Sequence, residues 1–188
     1  MVFKKYLSYN IMVLDLFNLN KQVNFYNRYH KNSVNRSIHI ICIPVLVWTG
    51  EVFFSYIDLN ELVIESYSPN ILYLCFGIVN FNGASIMSII YTSYYLILNI
   101  KLGIIMYFIL YFMQITSYYF YLYIPDVWLI AGLLHIYAWI LQLLGHKIFE
   151  RNRPALKDSL IQSFLTAPIF VLIEILNIYT RSTIGSNF

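Results

Sequence analysis

Long apolar runs separated by short polar interruptions make up most of the chain, and the run lengths decide its class. About 20 mostly apolar residues are needed to cross a hydrocarbon core of about 30 Å. Five stretches meet or approach that length: residues 38–57, 83–100, 102–123, 127–149 and 156–179. A sixth run, 71–81, is too short to cross alone, and Asn80, Asn82 and Gly83 at its end mark it as a half-span or a helix on the far side. Ahead of the first run, Leu14, Phe17, Phe25 and Tyr29 are interleaved with Asp15, Asn18, Lys21, Gln22 and Arg28. This suits an amphipathic helix lying at the interface with its aromatic side toward the bilayer; a soluble tail is the other reading of the same residues. The pattern predicts an all-α polytopic transmembrane helix bundle of about five spans. Residues 1–37 form the N-terminal interfacial segment, 38–180 the bundle and 181–188 a tail, with no internal repeat.

Composition strengthens this reading. The 188 residues are 60% hydrophobic and 11% charged, and the mean hydropathy is +0.65. Soluble domains carry roughly 25% charged residues, and a soluble fold of this size has too little interior for so much apolar surface. The net charge of +3 gives no reason to expect nucleic acid as a partner. Cys42 and Cys75 sit in apolar runs, at a spacing that implies neither a disulfide framework nor a zinc site. The first twenty residues lack a compact apolar core followed by a small-residue cleavage site, so the first span is expected to act as its own targeting signal.

Charge then orients the spans. Lys21, Arg28, Lys31 and Arg36 precede the first, Lys147, Arg151, Arg153 and Lys157 lie between the last two, and Lys101 sits in the turn between the second and third. Asp58, Glu61, Glu65 and Asp126 fall in the intervening connections. Basic residues concentrate on cytoplasmic loops, so a cytoplasmic N-terminus collects every basic cluster on one side. Only Arg181 is then expected on the far side.

Of the four histidines, three converge under this topology. His39 opens the first span, His146 closes the fourth, and His30 precedes His39 across a segment whose Asn32, Ser33 and Asn35 suit a turn and a helix cap. Three imidazoles at one membrane face make a candidate metal site, since imidazole suits iron, copper and zinc alike. Each histidine taken alone reads equally as a snorkelling interfacial residue. His135 shares the helical face of His146 but lies about 16 Å from it along the axis, so one ion cannot bind both on a straight helix. Trp139 and Gln142 lie between them, which makes that face resemble the wall of a polar channel. Glu51, about 18 Å past His39, falls at the depth of His135, and a buried His–Glu pair is expected there; an interhelical hydrogen bond is the ordinary alternative for His135. Glu174 is expected still nearer the far face. The run 147–157 reads as a topology signal or, more sharply, as an anchor in which Arg151 and Arg153 grip an acidic lipid head. No nucleophile elbow, P-loop, zincin motif or desaturase histidine box is present.

Two segments carry a resemblance. Residues 24–50, NFYNRYHKNSVNRSIHIICIPVLVWTG, contain Y-H-x-N-x-x-N-x-x-I-H-x-x-x-x-P. Residues 135–176, HIYAWILQLLGHKIFERNRPALKDSLIQSFLTAPIFVLIEIL, contain W-x-x-Q-x-x-G-H-x-x-x-E, R-P-A-L-x-D-x-L-x-Q, A-P-x-F and a glutamate in the last span. Together they resemble the fungal 2-hydroxy fatty acid dioxygenase family of the endoplasmic reticulum, long catalogued as a domain of unknown function. The resemblance implies an iron(II)-dependent dioxygenase that removes one carbon from a long-chain 2-hydroxy fatty acid, with O₂ as co-substrate, in α-oxidation during phytosphingosine breakdown. It implies metal-site roles for His30, His39, His146 and, further from the others, His135. Asn32, Asn35, Gln142, Glu150 and Asp158 are the polar companions that carry over. Glu150, four positions past His146, is the nearest carboxylate for ligation or orientation, and Asn32, Asn35 and Gln142 suit groups that orient the imidazoles. Two rival readings stand beside this: a haem with histidine axial ligands, and a non-enzymatic lipid-binding or tethering scaffold.

Overall fold

A computed structural model of the chain describes residues 15–59, 81–151 and 160–185, with the side chains of the last stretch between Ser163 and Asn177. The short run 71–80, Cys75, Arg153 and Asp158 lie outside the described residues. Helix α1 spans Leu19–Tyr29, α2 Ser33–Phe54, α3 Gly83–Leu98, α4 Ile100–Tyr123 and α5 Val127–Gly145. A π-helical turn, His146–Glu150, continues α5, and α6 spans Leu160–Gly185. No β-strand occurs among the described residues; one isolated bridge joins Asp58 to Asn82. Among the described residues, three helices are long and apolar enough to cross a membrane: Ser33–Phe54, Ile100–Tyr123 and Val127–Glu150. Two shorter apolar helices, Gly83–Leu98 and Ser163–Asn177, occupy the other predicted spans.

Asparagines start most of these helices. Asn18, Asn32, Asn82 and Asn99 each accept a backbone N–H from the first turn that follows, which satisfies donors the helix cannot. Asn32 therefore begins α2 five residues before the apolar run starts at Ile38. The helix α2 is the centre of the bundle and touches α3, α4, α5 and α6. Ile43 and Val47 of α2 meet Tyr94, Tyr95 and Leu98 of α3, Met106 and Leu110 of α4, and Ile169 and Leu172 of α6 in one apolar core. The outer faces stay apolar as well: Phe108, Phe112, Trp128, Leu133, Ile136 and Tyr137 are exposed. That is the surface of a protein whose solvent is lipid.

Neighbouring helices α2 to α5 alternate in direction. Gly83 donates its N–H to the Ile57 carbonyl (2.9 Å), so α3 starts where α2 ends. Trp48 Nε1 donates to Thr116 Oγ1 (3.0 Å), so α4 descends beside α2. The last helix breaks the expected alternation. The Tyr91 hydroxyl donates to the Phe164 carbonyl (3.2 Å), Phe170 stacks on Tyr26, and Arg36 at the start of α2 pairs with Glu174 (3.3 Å). Thus α6 runs parallel to α3, toward the end of the bundle where α2 begins. Glu174, expected near the far face, lies at the opposite one; the expectation assumed that each apolar run crosses in turn. A second difference concerns α1. Its Tyr26 and Gln22 are buried against the bundle, so part of its aromatic side faces protein rather than lipid.

Candidate metal centre

The site forms where the loop between α1 and α2 meets the π-turn. His30 caps the end of α1, His39 lies on the second turn of α2, and His146 opens the π-turn. π-helical insertions widen a helix locally and concentrate at functional sites. Glu150, the last residue of that turn, reaches the loop: its Oε1 accepts from the Asn32 backbone N–H (2.9 Å) and from Asn35 Nδ2 (3.1 Å). A carboxylate at the first turn of α2 also meets the positive end of the helix dipole. The approach is close because residue 145 is glycine. A Cβ there would lie 2.5 Å from Asn35 Oδ1 and 3.2 Å from Ile38 Cδ1. A side chain at 145 would displace the Asn35 amide, which bonds Glu150.

The three imidazoles are buried and edge on to one another, with ring centroids 4.5, 4.8 and 4.9 Å apart. One ring nitrogen of each of two histidines is fixed by the backbone. His30 Nδ1 donates to the Tyr26 carbonyl (3.0 Å) and His39 Nδ1 to the Asn35 carbonyl (2.9 Å), which leaves both Nε2 lone pairs free. His30 Nε2 and His146 Nδ1 are buried without any hydrogen-bond partner. Burial, with His39 alongside, pushes the His30 pKa from 6.5 down to about 3, so that ring stays neutral. Tyr26 stacks on His30 at 3.8 Å, and its burial holds the phenol protonated by raising its pKa.

This donor set fits a metal ion. Among the described residues, His30, His39 and His146 offer one ligand atom each within 4.8 Å of one another. A triangle with that longest side puts its centre at most about 2.8 Å from each nitrogen, against about 2.0–2.1 Å for a metal–imidazole bond. Small ring rotations close that gap, and the partnerless nitrogens of His30 and His146 are available as donors. A haem held between two of these imidazoles does not fit, because rings packed this tightly leave no slot for a macrocycle between them.

A cavity of about 470 Å³ opens from the triad into the bundle between α2, α3, α5 and α6. His30, His39, His146 and Gln142 line its head, and the rest is mostly apolar, with His135, Ser163 and Thr166 among its lining. The remaining expected residues fall in different places. Gln142 is on the cavity wall with a buried Nε2 that lacks a partner, so its amide does not orient an imidazole as expected. His135 also lines the cavity but stands apart from the triad, and both its nitrogens are occupied. Trp139 Nε1 donates to its Nε2 (3.1 Å), so its Nδ1 carries the proton and donates to Thr49 Oγ1 (2.7 Å). Glu51 does not pair with it as expected; Oε1 of Glu51 accepts from Ser88 Oγ (2.9 Å), because residue 51 faces α3 while residue 49 faces α5. Arg151 is exposed, at a left-handed φ of 51°.

Sequence reasoning missed three contributors. Ser163, on the cavity wall, has a buried hydroxyl without a partner. The Arg36–Glu174 pair clamps α6 to the triad's end of α2. Tyr26 holds His30 from one side. Only the glutamate in the A-P-x-F segment gave any signal, as an unexplained charge in an apolar run.

A family model described as "2-hydroxy-palmitic acid dioxygenase Mpo1-like" matches residues 16–178. The chain is also 27% identical, over 165 residues, to the 2-hydroxy-palmitic acid dioxygenase MPO1 of Saccharomyces cerevisiae, covering 86% of this chain and 81% of that protein. No solved structure matches.

Proposed function

The chain belongs to the Mpo1-like family, and from that premise we propose that it is a membrane-embedded, non-haem iron(II) dioxygenase acting on long-chain 2-hydroxy fatty acids. The observation that carries this reading is the set of three buried imidazoles at the head of an apolar cavity. In the reaction, 2-hydroxy acid and O₂ yield the fatty acid one carbon shorter, CO₂ and water. The C1–C2 bond breaks, C2 is oxidised to the new carboxyl, and O₂ takes up the four electrons.

His30, His39 and His146 would hold the iron(II), which when bound would supply the chemistry for joining O₂ to an α-hydroxy carboxylate. The chain's own residues do the rest. The backbone carbonyls of Tyr26 and Asn35 fix the tautomers of His30 and His39. Glu150 holds the loop that carries His30. The unpartnered Gln142 amide is the donor suited to the substrate's head, whereas Ser163, seven residues before Phe170 on α6, lies about 10 Å deeper along the cavity. Arg151, being exposed, is better placed to attract a carboxylate to the surface than to hold one, and Arg153 and Asp158 lie outside the described residues. Apolar walls exclude water and receive the acyl tail. The clustering of basic residues supports an N-terminus on the cytosolic side of the endoplasmic reticulum membrane, and the direction of α6 supports four crossings, with α6 entering and returning on the cytosolic side.

Purified protein in detergent is expected to bind iron and to consume 2-hydroxypalmitate with O₂. His39→Ala and His146→Ala each remove both properties. Normal iron content in both variants ends the assignment; substrate returned unchanged by iron-loaded protein favours a lipid-binding scaffold instead.

A further inference from the structure

Below the three imidazoles the cavity continues as a slot along one face of α2, where His39, Ile43, Leu46, Val47, Gly50 and Phe54 follow one another at helical spacing. At 1.5 Å per residue the slot reaches about 16 Å from His39 at Gly50 and about 22 Å at Phe54. A bilayer core of about 30 Å divides into two leaflets, so an ordinary long acyl tail extends about 15 Å. A tail of that length, with its head at the triad, ends level with Gly50.

Gly50 is the one slot position on α2 that lacks a side chain. It faces the flexible Met87 of α3, and a Cβ built on it meets only Met87 Cε at 3.8 Å and Sδ at 4.0 Å. That is ordinary contact, so a small side chain enters without moving the backbone. Beyond this level the two helices close on each other: a Cβ on Gly83 would lie 2.7 Å from the Phe54 carbonyl oxygen. The slot therefore narrows past Gly50 toward its end, where Phe54 and Gly83 are its last lining residues.

We propose that Gly50, facing Met87, sets the length of acyl tail that the cavity accepts. With nothing but the flexible thioether of Met87 over the bare backbone at 50, the last carbons of a tail that spans one leaflet gain room when Met87 swings aside, and a larger residue at 50 removes it. The oxygenase reading supplies the head group in this inference, whereas the tail's length depends only on the slot.

Gly50→Phe is the test, with Gly50→Leu as the smaller variant should the first fail to fold. Turnover of 2-hydroxydodecanoate, 2-hydroxypalmitate and 2-hydroxylignocerate is compared with displacement of a fluorescent acyl probe by the corresponding unhydroxylated acids. The variant is expected to keep wild-type metal content while its kcat/KM for 2-hydroxypalmitate relative to 2-hydroxydodecanoate falls by about tenfold or more, with the binding ratio of the unhydroxylated acids shifting the same way. Equal loss at all lengths, or unchanged ratios, overturns the role of Gly50. If no hydroxy acid is consumed by wild type yet the binding ratio still shifts, the oxygenase reading fails and the length-setting role stands.

Discussion

Removing the Glu150 side chain separates two roles that its position allows, metal ligand and tether. Its Oε1 accepts two hydrogen bonds, from the Asn32 backbone and the Asn35 amide. Hydrogen bonds to a charged group contribute about 1.5–3 kcal/mol each. The site is half-buried, so the lower figure applies, and Glu150→Ala costs about 3 kcal/mol for the pair. That loss falls on the docking of the loop that delivers His30, and each 1.4 kcal/mol is tenfold, so metal affinity should fall by about 100-fold. Glu150→Gln keeps a carbonyl oxygen that accepts both bonds at neutral strength, and should fall only about tenfold. The assay is competition between the purified variants and a chelator of known affinity for Fe(II). A ligand role predicts something else: an amide is a poor replacement for a coordinating carboxylate, so both variants would lose the metal alike. Equal loss in the two variants refutes the tether argument.

Other perturbations follow from the same contacts. Gly145→Ala places a methyl 2.5 Å from Asn35 Oδ1, and the forced shift should cost about 1–3 kcal/mol, read as a lower melting midpoint with reduced metal content. His135→Phe and Thr49→Val should both retain metal, because the hydrogen-bonded His135 has no lone pair to offer; metal loss in His135→Phe would return it to the ligand set. Glu174→Gln should destabilise the bundle by about 1–2 kcal/mol by leaving the part-buried Arg36 without its charge partner, and the exchange Arg36→Glu with Glu174→Arg should recover part of that in a thermal assay.

How much of this was legible depended on which physical rule governed each residue. Run length alone locates α2, α4 and α5, because a lipid solvent demands about 20 apolar residues per crossing. The meeting of His30, His39 and His146 followed from topology plus the turn and cap chemistry of Asn32, both local properties. What failed was inference across the bundle. Alternating crossings placed Glu174 at the wrong end, since nothing in an apolar run encodes its direction; that direction comes from Tyr91, Tyr26 and Arg36 contacting it. Equal depth suggested a Glu51–His135 pair, but rotation about α2 turns residue 51 to α3 and residue 49 to α5. The unpartnered amide of Gln142 and hydroxyl of Ser163 become visible only once neighbours are known, because lacking a partner is a property of surroundings.

The course of α6 has a consequence for where the polypeptide's ends emerge. On the proposed four-crossing topology, α2 to α5 return the chain to its starting side, and α6, which runs back toward Arg36, adds no net passage. Arg181, farther along the same helix, then joins the other basic residues and ceases to be an exception among them. Epitopes fused before Asp15 and after Gly185 should both be cleaved by protease added outside sealed microsomes, and a glycosylation acceptor at the C-terminus should stay unmodified. An odd number of passages would shield one epitope and leave the other cut.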